Sequence, residues 1–341
     1  MHVLVCPDKF KGTASADDVA RAIAVAVEGR GWTAELIPMA DGGDGTLDAL
    51  GGANLSSTVT GPLGTPVVAE WRLDEGVAVI EAARCAGLVL AGGPAGNRPL
   101  DATTRGVGEL IAEAVARGAR RVLVTVGGVA STDGGQGALE ALGSLPPGVD
   151  LQVACDVSTR FVAAAAVFGP QKGASPDDVA VLTERLRGQR AEHLRRTGRD
   201  LDELVGGGAA GGLAGGLATA GARLVPGVDL VADVLGIDAA ARRAALVLTG
   251  EGRLDEQSFE GKVVGGVAAR ARRAGVPCMA VVGVADPITP RLPFVSLVET
   301  CGEERALRDT LAAITEATDR LLAQLEVAGR AGRQAPPSAD E

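Results

Sequence analysis

At five places this 341-residue sequence sets an acidic side chain just beyond a short apolar run, usually among glycines. Asp8 follows HVLVCP (2–7), with Lys11 three residues on. Asp41 and Asp44 follow AELIPMA (34–40), interleaved with Gly42, Gly43 and Thr46. RRVLVTV (120–126) runs into Gly127, Gly128, Ser131, Thr132, Asp133, Gly134 and Gly135. DLQVAC (150–155) ends at Asp156, and AALVLT (244–249) leads into Gly250, Glu251, Gly252 and Asp255. In any one loop, aspartate and glycine are simply good turn residues. Carboxylates gathered at one rim repel each other, however, and become tolerable with a cation between them; Mg²⁺ suits such hard oxygen ligands. Glycine lets backbone N–H groups approach phosphate oxygens. With a lysine nearby, this inventory describes phosphoryl transfer better than hydride transfer.

Other chemistries find little support. There are two histidines, His2 before the first apolar run and His193 inside the charged stretch RGQRAEHLRRTGRD. Neither is placed for a Ser-His-Asp hydrolase or a histidine-ligated metal. No G-x-G-x-x-G follows the first run directly, and no G-x-x-x-x-G-K-[ST] occurs. GGGAAGGLAGGLATAG (206–221) reads equally well as a phosphate cradle or as close helix packing through small residues.

The elements that must position these residues follow a repeating pattern: a short β-branched run, a Gly/Asp-rich turn, an Ala-rich stretch of helical spacing. That alternation implies a parallel sheet with helices on both faces. Over ADDVARAIAVAVEGRG (16–31) a helix is expected, with Ser15 as N-cap. From 56 to 82 the rhythm changes to strands joined by turns at GPLG and DEG, which reads as antiparallel. The expected domains are therefore 1–60 with 240–327, an inserted α/β domain over 61–239, and a disordered tail over 328–341. Aromatic residues make up only 2%, so Ala, Val and Leu must fill the cores, and 49 glycines serve tight strand–helix turns. A net charge of −10 without a long basic run argues against nucleic acid. Five dispersed cysteines suit a reducing compartment. The start of the sequence has no signal-peptide pattern and no membrane-spanning run, so a cytoplasmic protein is expected.

An ordered series of segments resembles the type-1 glycerate kinase family. They are PDKFKGTASADDVA (7–20), PMADGGDGTLDAL (38–50), VTGPLGTPVVAEW (59–71), TTRGVGELI (103–111) and VGGVASTDGGQGALEALG (126–143). VACDV (153–157), AVFGPQKGAS (166–175), GGGAAGGLAGGL (206–217) and LTGEGRLDEQSFEGKVVGGVA (248–268) complete it. The resemblance implies a flavodoxin-like domain and an inserted mixed α/β domain of restriction-enzyme-like type, with the active site in the cleft between them. It implies transfer of the γ-phosphate of ATP, with Mg²⁺, to D-glycerate. Lys11, Asp41 and Asp133 are then the expected catalytic residues. Asp8, Gly42, Gly43, Thr46, Gly127, Gly128, Ser131, Thr132, Gly134, Gly135, Lys172, Gly250 and Gly252 are expected at substrate or phosphate. Asp44, Asp156, Glu251 and Asp255 are expected at the metal. Lys9 and Asp44 stand where the family pattern leads one to expect Ser and Glu, and STRFVAAAA (158–166) replaces a glycine-rich loop. The shortened loop motivates two alternatives, a catalytically silent sensor and a kinase for a related hydroxy acid.

Overall fold

The computed structural model describes residues 1–43, 45–287 and 291–334. In chain order its strands are β1 (His2–Pro7), β2 (Thr33–Leu36), β3 (Leu55–Thr60), β4 (Pro66–Asp74), β5 (Val77–Glu81) and β6 (Arg121–Thr125). β7 (Asp150–Ala154), β8 (Arg223–Val225), β9 (Leu246–Leu254), β10 (Cys278–Ala285) and β11 (Phe294–Ser296) follow. The helices that bear on function are α1 (Ala16–Glu28), α2 (Arg105–Ala116), α3 (Gln136–Leu142), α4 (Pro176–Thr197), α5 (Leu213–Thr219), α6 (Gly227–Val234), α7 (Val263–Ala274) and α8 (Thr310–Gln334). The chain divides into two compact units, residues 1–41 with 232–341, and residues 42–231.

The first unit holds a sheet in the order β2-β1-β9-β10-β11, parallel throughout. Renumbered within the unit this is 2-1-3-4-5, the doubly wound flavodoxin-like order, whose strand order reverses between β1 and β9. β1 lies mid-sheet, and Val3, Leu4, Val5 and Cys6 are all fully buried, as a strand covered on both faces requires. The Ser15 hydroxyl accepts from Asp18 N at 3.1 Å and starts α1 as expected. The helix buries Val19, Ile23 and Val27 in one core with Val5, Leu248 and Ile314.

Two expectations fail in this unit. β9 does not end at Thr249 but continues to Leu254, because β10 keeps pairing with it as far as Ala285↔Leu254. β1 leaves it at Gly250, so Glu251 sits inside a strand whose one edge has just been vacated. The tail expected over 328–341 is helical as far as Gln334, and residues 335–341 lie outside the described residues. These residues continue α8 without a break, and Ala328, Arg330, Ala331, Arg333 and Gln334 are strong helix formers that offset Gly329 and Gly332.

The second unit holds a sheet in the order β3-β4-β5-β6-β7-β8. β3, β4 and β5 form the antiparallel meander expected from the sequence, and β5 to β8 run parallel. β3 pairs with β4 from Leu55↔Trp71 to Thr60↔Pro66, so it belongs to this sheet. The unit therefore begins at Gly42 and ends at Val231, rather than spanning 61–239. Hydrophobic pattern marks a strand but not the sheet it joins. The core gathers Trp71, Ile80, Leu110, Ile111, Leu151 and Leu213.

All five cysteines are free thiols. His2 pairs with Glu35 at 3.0 Å, and His193 lies on the charged face of α4. Among the described residues no helix is long and apolar enough to cross a membrane.

Candidate active site

At the carboxyl ends of β1 and β9, the first unit brings together Asp8, Asp41, Glu251 and Asp255. This is where ligands bind in doubly wound sheets, at the reversal of strand order. Asp8 leaves β1 with its N–H on Gly250 O at 2.8 Å, and its Oδ1 accepts from Lys9 N at 2.7 Å. Burial, then the negative charge of Asp41, pushes its carboxyl up to about 6. Glu251 is only 6% exposed and its Oε1 has no hydrogen-bond partner. Burial pushes this carboxyl up to about 7, against the hydrogen bond from Ser258 and the positive charge of Lys262. Gly250 and Gly252 make the close approach possible: a Cβ on Gly250 would stand 2.3 Å from Val281 O, and one on Gly252 3.4 Å from Lys11 N. Lys11 itself is exposed, on the turn after β1.

Asp255 has a local task. It is the N-cap of the turn Glu256–Phe259, accepting from Ser258 N at 2.9 Å. Burial is the largest single influence and raises its carboxyl, but Ser258 and Lys262 together prevail and hold it below the usual range.

In the second unit the loop after β6 is braced from every side. Asp133 accepts from Thr104 N and Thr104 Oγ1, both at 2.8 Å, from Gly135 N at 3.0 Å and from Gly137 N at 3.2 Å. The Ser131 hydroxyl adds a fifth donor at 3.4 Å. A carboxylate so occupied is fitted to fix a loop, not to take a proton from substrate, so the geometry favours a positioning role over the catalytic one expected. Ser131 and Thr132 are buried, and Lys172 donates from Nζ to Ser131 O at 2.6 Å. Burial lowers the Lys172 ammonium to about 8, with the charge of Asp133 opposing. The small-residue run leading into and through the start of α5 packs directly on this loop: Cβ atoms on Gly211 and Gly216 would stand 2.2 Å from Ser131 O and 2.3 Å from Gly134 O. Asp156 Oδ1 accepts from Gly227 N at 2.9 Å, at the start of α6.

The loop that carries Gly42, Gly43 and Thr46 is fixed in the same manner. Gly42 has φ +87°, and a Cβ there would stand 2.6 Å from Gly227 Cα. Thr46 Oγ1 donates to Gly43 O at 2.7 Å, and Leu47 N donates to Glu81 Oε1 at 2.9 Å. Asp44 lies outside the described residues.

The sequence model of the Glycerate kinase family matches residues 3–147 and 144–328, nearly the whole chain. The chain belongs to the glycerate kinase family. The glycerate kinase of Bacillus subtilis is 37% identical over 85% of this chain and 86% of its own length. The glycerate 2-kinase of Escherichia coli K12 is 36% identical over 85% and 86%. A crystal structure from Salmonella typhimurium LT2 assigned to glycerate kinase 2 superposes with a TM-score of 0.83, at 32% identity, covering 97% of this chain and 99% of that one. The chain is thus a phosphotransferase with the two-domain α/β architecture expected.

A glycerate kinase site with Mg²⁺ was expected to use Asp44, Asp156, Glu251 and Asp255. Among the described residues no group of three or more His, Cys, Asp or Glu side chains is placed to hold a metal ion. Asp156 and Asp255 both serve helical starts. Glu251 fits the ion best, since its buried Oε1 lacks any donor. Mg²⁺ commonly takes one or two carboxylates and completes its shell with water and phosphate. The donor set suits an ion that arrives with a nucleotide, not an all-protein cage.

Sequence reasoning missed four residues here. Glu81, Thr104, Asn97 and Lys262 each lie outside the acidic loops, and three of them reach a loop from at least 29 positions away. Asn97 Nδ2 donates to Ala130 O and Lys172 O. No local spacing reveals such partners. Thr104 and Lys262 stood in segments already marked, TTRGVGELI (103–111) and LTGEGRLDEQSFEGKVVGGVA (248–268).

Proposed function

We propose that this chain catalyses ATP-dependent phosphorylation of D-glycerate. The observation that carries the reading is the partnerless Glu251 oxygen beside Asp8, at the strand reversal of a glycerate kinase family member. Phosphoryl transfer needs little covalent help, so the protein's work is positioning and charge neutralisation. Glu251 and Asp8 would hold Mg²⁺, which when bound with ATP neutralises charge on the phosphate oxygens. Lys11, exposed on the adjoining turn, offers its ammonium to the transferring phosphate or the glycerate carboxylate. Asp41 is the carboxylate left to orient the attacking hydroxyl and take its proton. The loop over 127–135 binds substrate through its glycines and Thr132. Asp133, braced by Thr104, keeps that loop's shape, and Lys172 acts through the Ser131 carbonyl.

The test is a coupled assay for ADP with Mg²⁺-ATP and D-glycerate, L-glycerate or other small hydroxy acids as acceptor. D-Glycerate should exceed every other acceptor at least tenfold. Phosphorus NMR of the product then assigns O2 or O3. ADP release with a different acid at higher kcat/KM would make this a kinase for that acid. Tight ligand binding with no ADP release from any acceptor would sink the reading in favour of a sensor.

A further inference from the structure

Seven residues beyond Asp255, where no acidic loop drew notice, the chain turns sharply at Gly261 (φ +88°) and starts α7 on Lys262. Lys262 stands in N-cap position, and no side chain accepts from the first turn of this 12-residue helix. The free N–H groups and the positive end of the helix dipole make that turn attractive to an anion. The Lys262 ammonium lies 3.6 Å from Asp255 Oδ1, beyond hydrogen-bond distance, and its side chain is 34% exposed. Asp255 Oδ1 is already engaged by Ser258 N and Oγ. The ammonium thus forms a long ion pair with Asp255, and its charge reaches Asp8 and Glu251 as well. Glu251 supplies the independent sign of a ligand, with its Oε1 buried and unpartnered in the same group. The seat is rigid: a Cβ on Gly265 would stand 2.7 Å from Phe259 Cα, so the turn Glu256–Phe259 packs flat on the helix start.

We propose that Lys262 and the first turn of α7 receive the terminal phosphates of the nucleotide, with Glu251 facing the same phosphates through the cation they carry. The inference rests on the phosphotransfer reading above and adds to it the residue that binds the donor. Three ammonium donors on a flexible stem suit a phosphate chain, and the helix start supplies backbone donors beside it.

The experiment measures nucleotide binding separately from turnover. Equilibrium dialysis of ATP with Mg²⁺, without acceptor, compares the wild-type chain with Lys262→Met and Lys262→Arg. Loss of one charge-assisted contact should weaken ATP binding about tenfold or more in Lys262→Met, with Lys262→Arg recovering most of it. KM for ATP should rise in parallel, while KM for the acceptor stays within about twofold. Lys262→Met binding ATP as tightly as wild type overturns the proposal, whatever its turnover. A second measurement needs no variant. Pyrophosphate should protect Lys262 of the wild-type chain from amine acylation, read by mass spectrometry; equal labelling with and without it also overturns the proposal. The two readings fail separately. Wild-type turnover of D-glycerate with ATP binding indifferent to Lys262 overturns only the phosphate seat. ATP binding that depends on Lys262 without turnover of D-glycerate supports the seat and rejects the acceptor.

Discussion

Five donors converge on the Asp133 carboxylate, whereas Glu251 keeps a buried oxygen with none. The sequence shows both as acidic residues beside glycine after an apolar run, and at that level they are interchangeable. Their consequences differ in sign. With its carboxyl raised to about 7, Glu251 binds a proton more readily folded than unfolded. Its contribution is therefore fully present below the unfolded value near 4.5 and is lost as pH rises through about 7. At pH 8 the buried charge costs up to about 3 kcal/mol. In metal-free buffer Glu251→Gln should raise Tm by several degrees at pH 8 and leave it near wild type at pH 5. Its kcat should fall at least 100-fold. Equal Tm differences at the two pH values would contradict the raised carboxyl. Asp133→Ala does the reverse and strands buried donors, so urea unfolding should show a loss of about 2–4 kcal/mol. Lower kcat in that variant with normal stability would return Asp133 to a direct role in the chemistry.

Elements were legible where local pattern and tertiary placement agree. Buried parallel strands such as β1 and β6 read as unbroken apolar runs, α1 announces its start with Ser15, and the meander of β3, β4 and β5 shows its turns. Placement was not legible where it depends on a remote partner. β9 runs on to Leu254 only because β10 is long enough to pair with it. The loop after β2 owes its shape to Gly227 and Glu81, 185 and 39 positions beyond Gly42. Such a loop is sensitive in a way its flexible-looking sequence hides. Gly42→Ala must accommodate both a positive φ and a Cβ 2.6 Å from Gly227 Cα. It should cost about 2 kcal/mol or more and depress kcat. Gly188→Ala, mid-way along α4 with nothing within 4 Å of the new Cβ, should instead add about 0.5–1 kcal/mol. Comparable losses from both substitutions, measured by urea unfolding, would show that the loop is not held by that approach.

For the whole molecule, the family was legible from motif order alone, because long, compositionally odd segments recur in sequence. The division into units was less so, since β3 looks the same in either sheet and only its pairing with β4 assigns it. Each unit has its own sheet and its own buried core, one around Trp71 and Leu110, the other around Val5 and Ile314. Separate cores allow separate unfolding, and calorimetry then need not show a single two-state transition. Two transitions are expected, and the two carboxylates should label them. Asp133→Ala should lower only the one belonging to residues 42–231, and Glu251→Gln at pH 8 should raise only the other. ATP with Mg²⁺ at about 100 times its Kd adds about 2.7 kcal/mol to whatever binds it. The donor site is proposed at Glu251 and Lys262, both in the discontinuous unit, so that transition should move, and the roughly tenfold weaker binding of Lys262→Met should cut the movement by about half or more at the same ATP concentration. A ligand that instead raised the transition lowered by Asp133→Ala would place the nucleotide on the second unit and leave α7 without its phosphate.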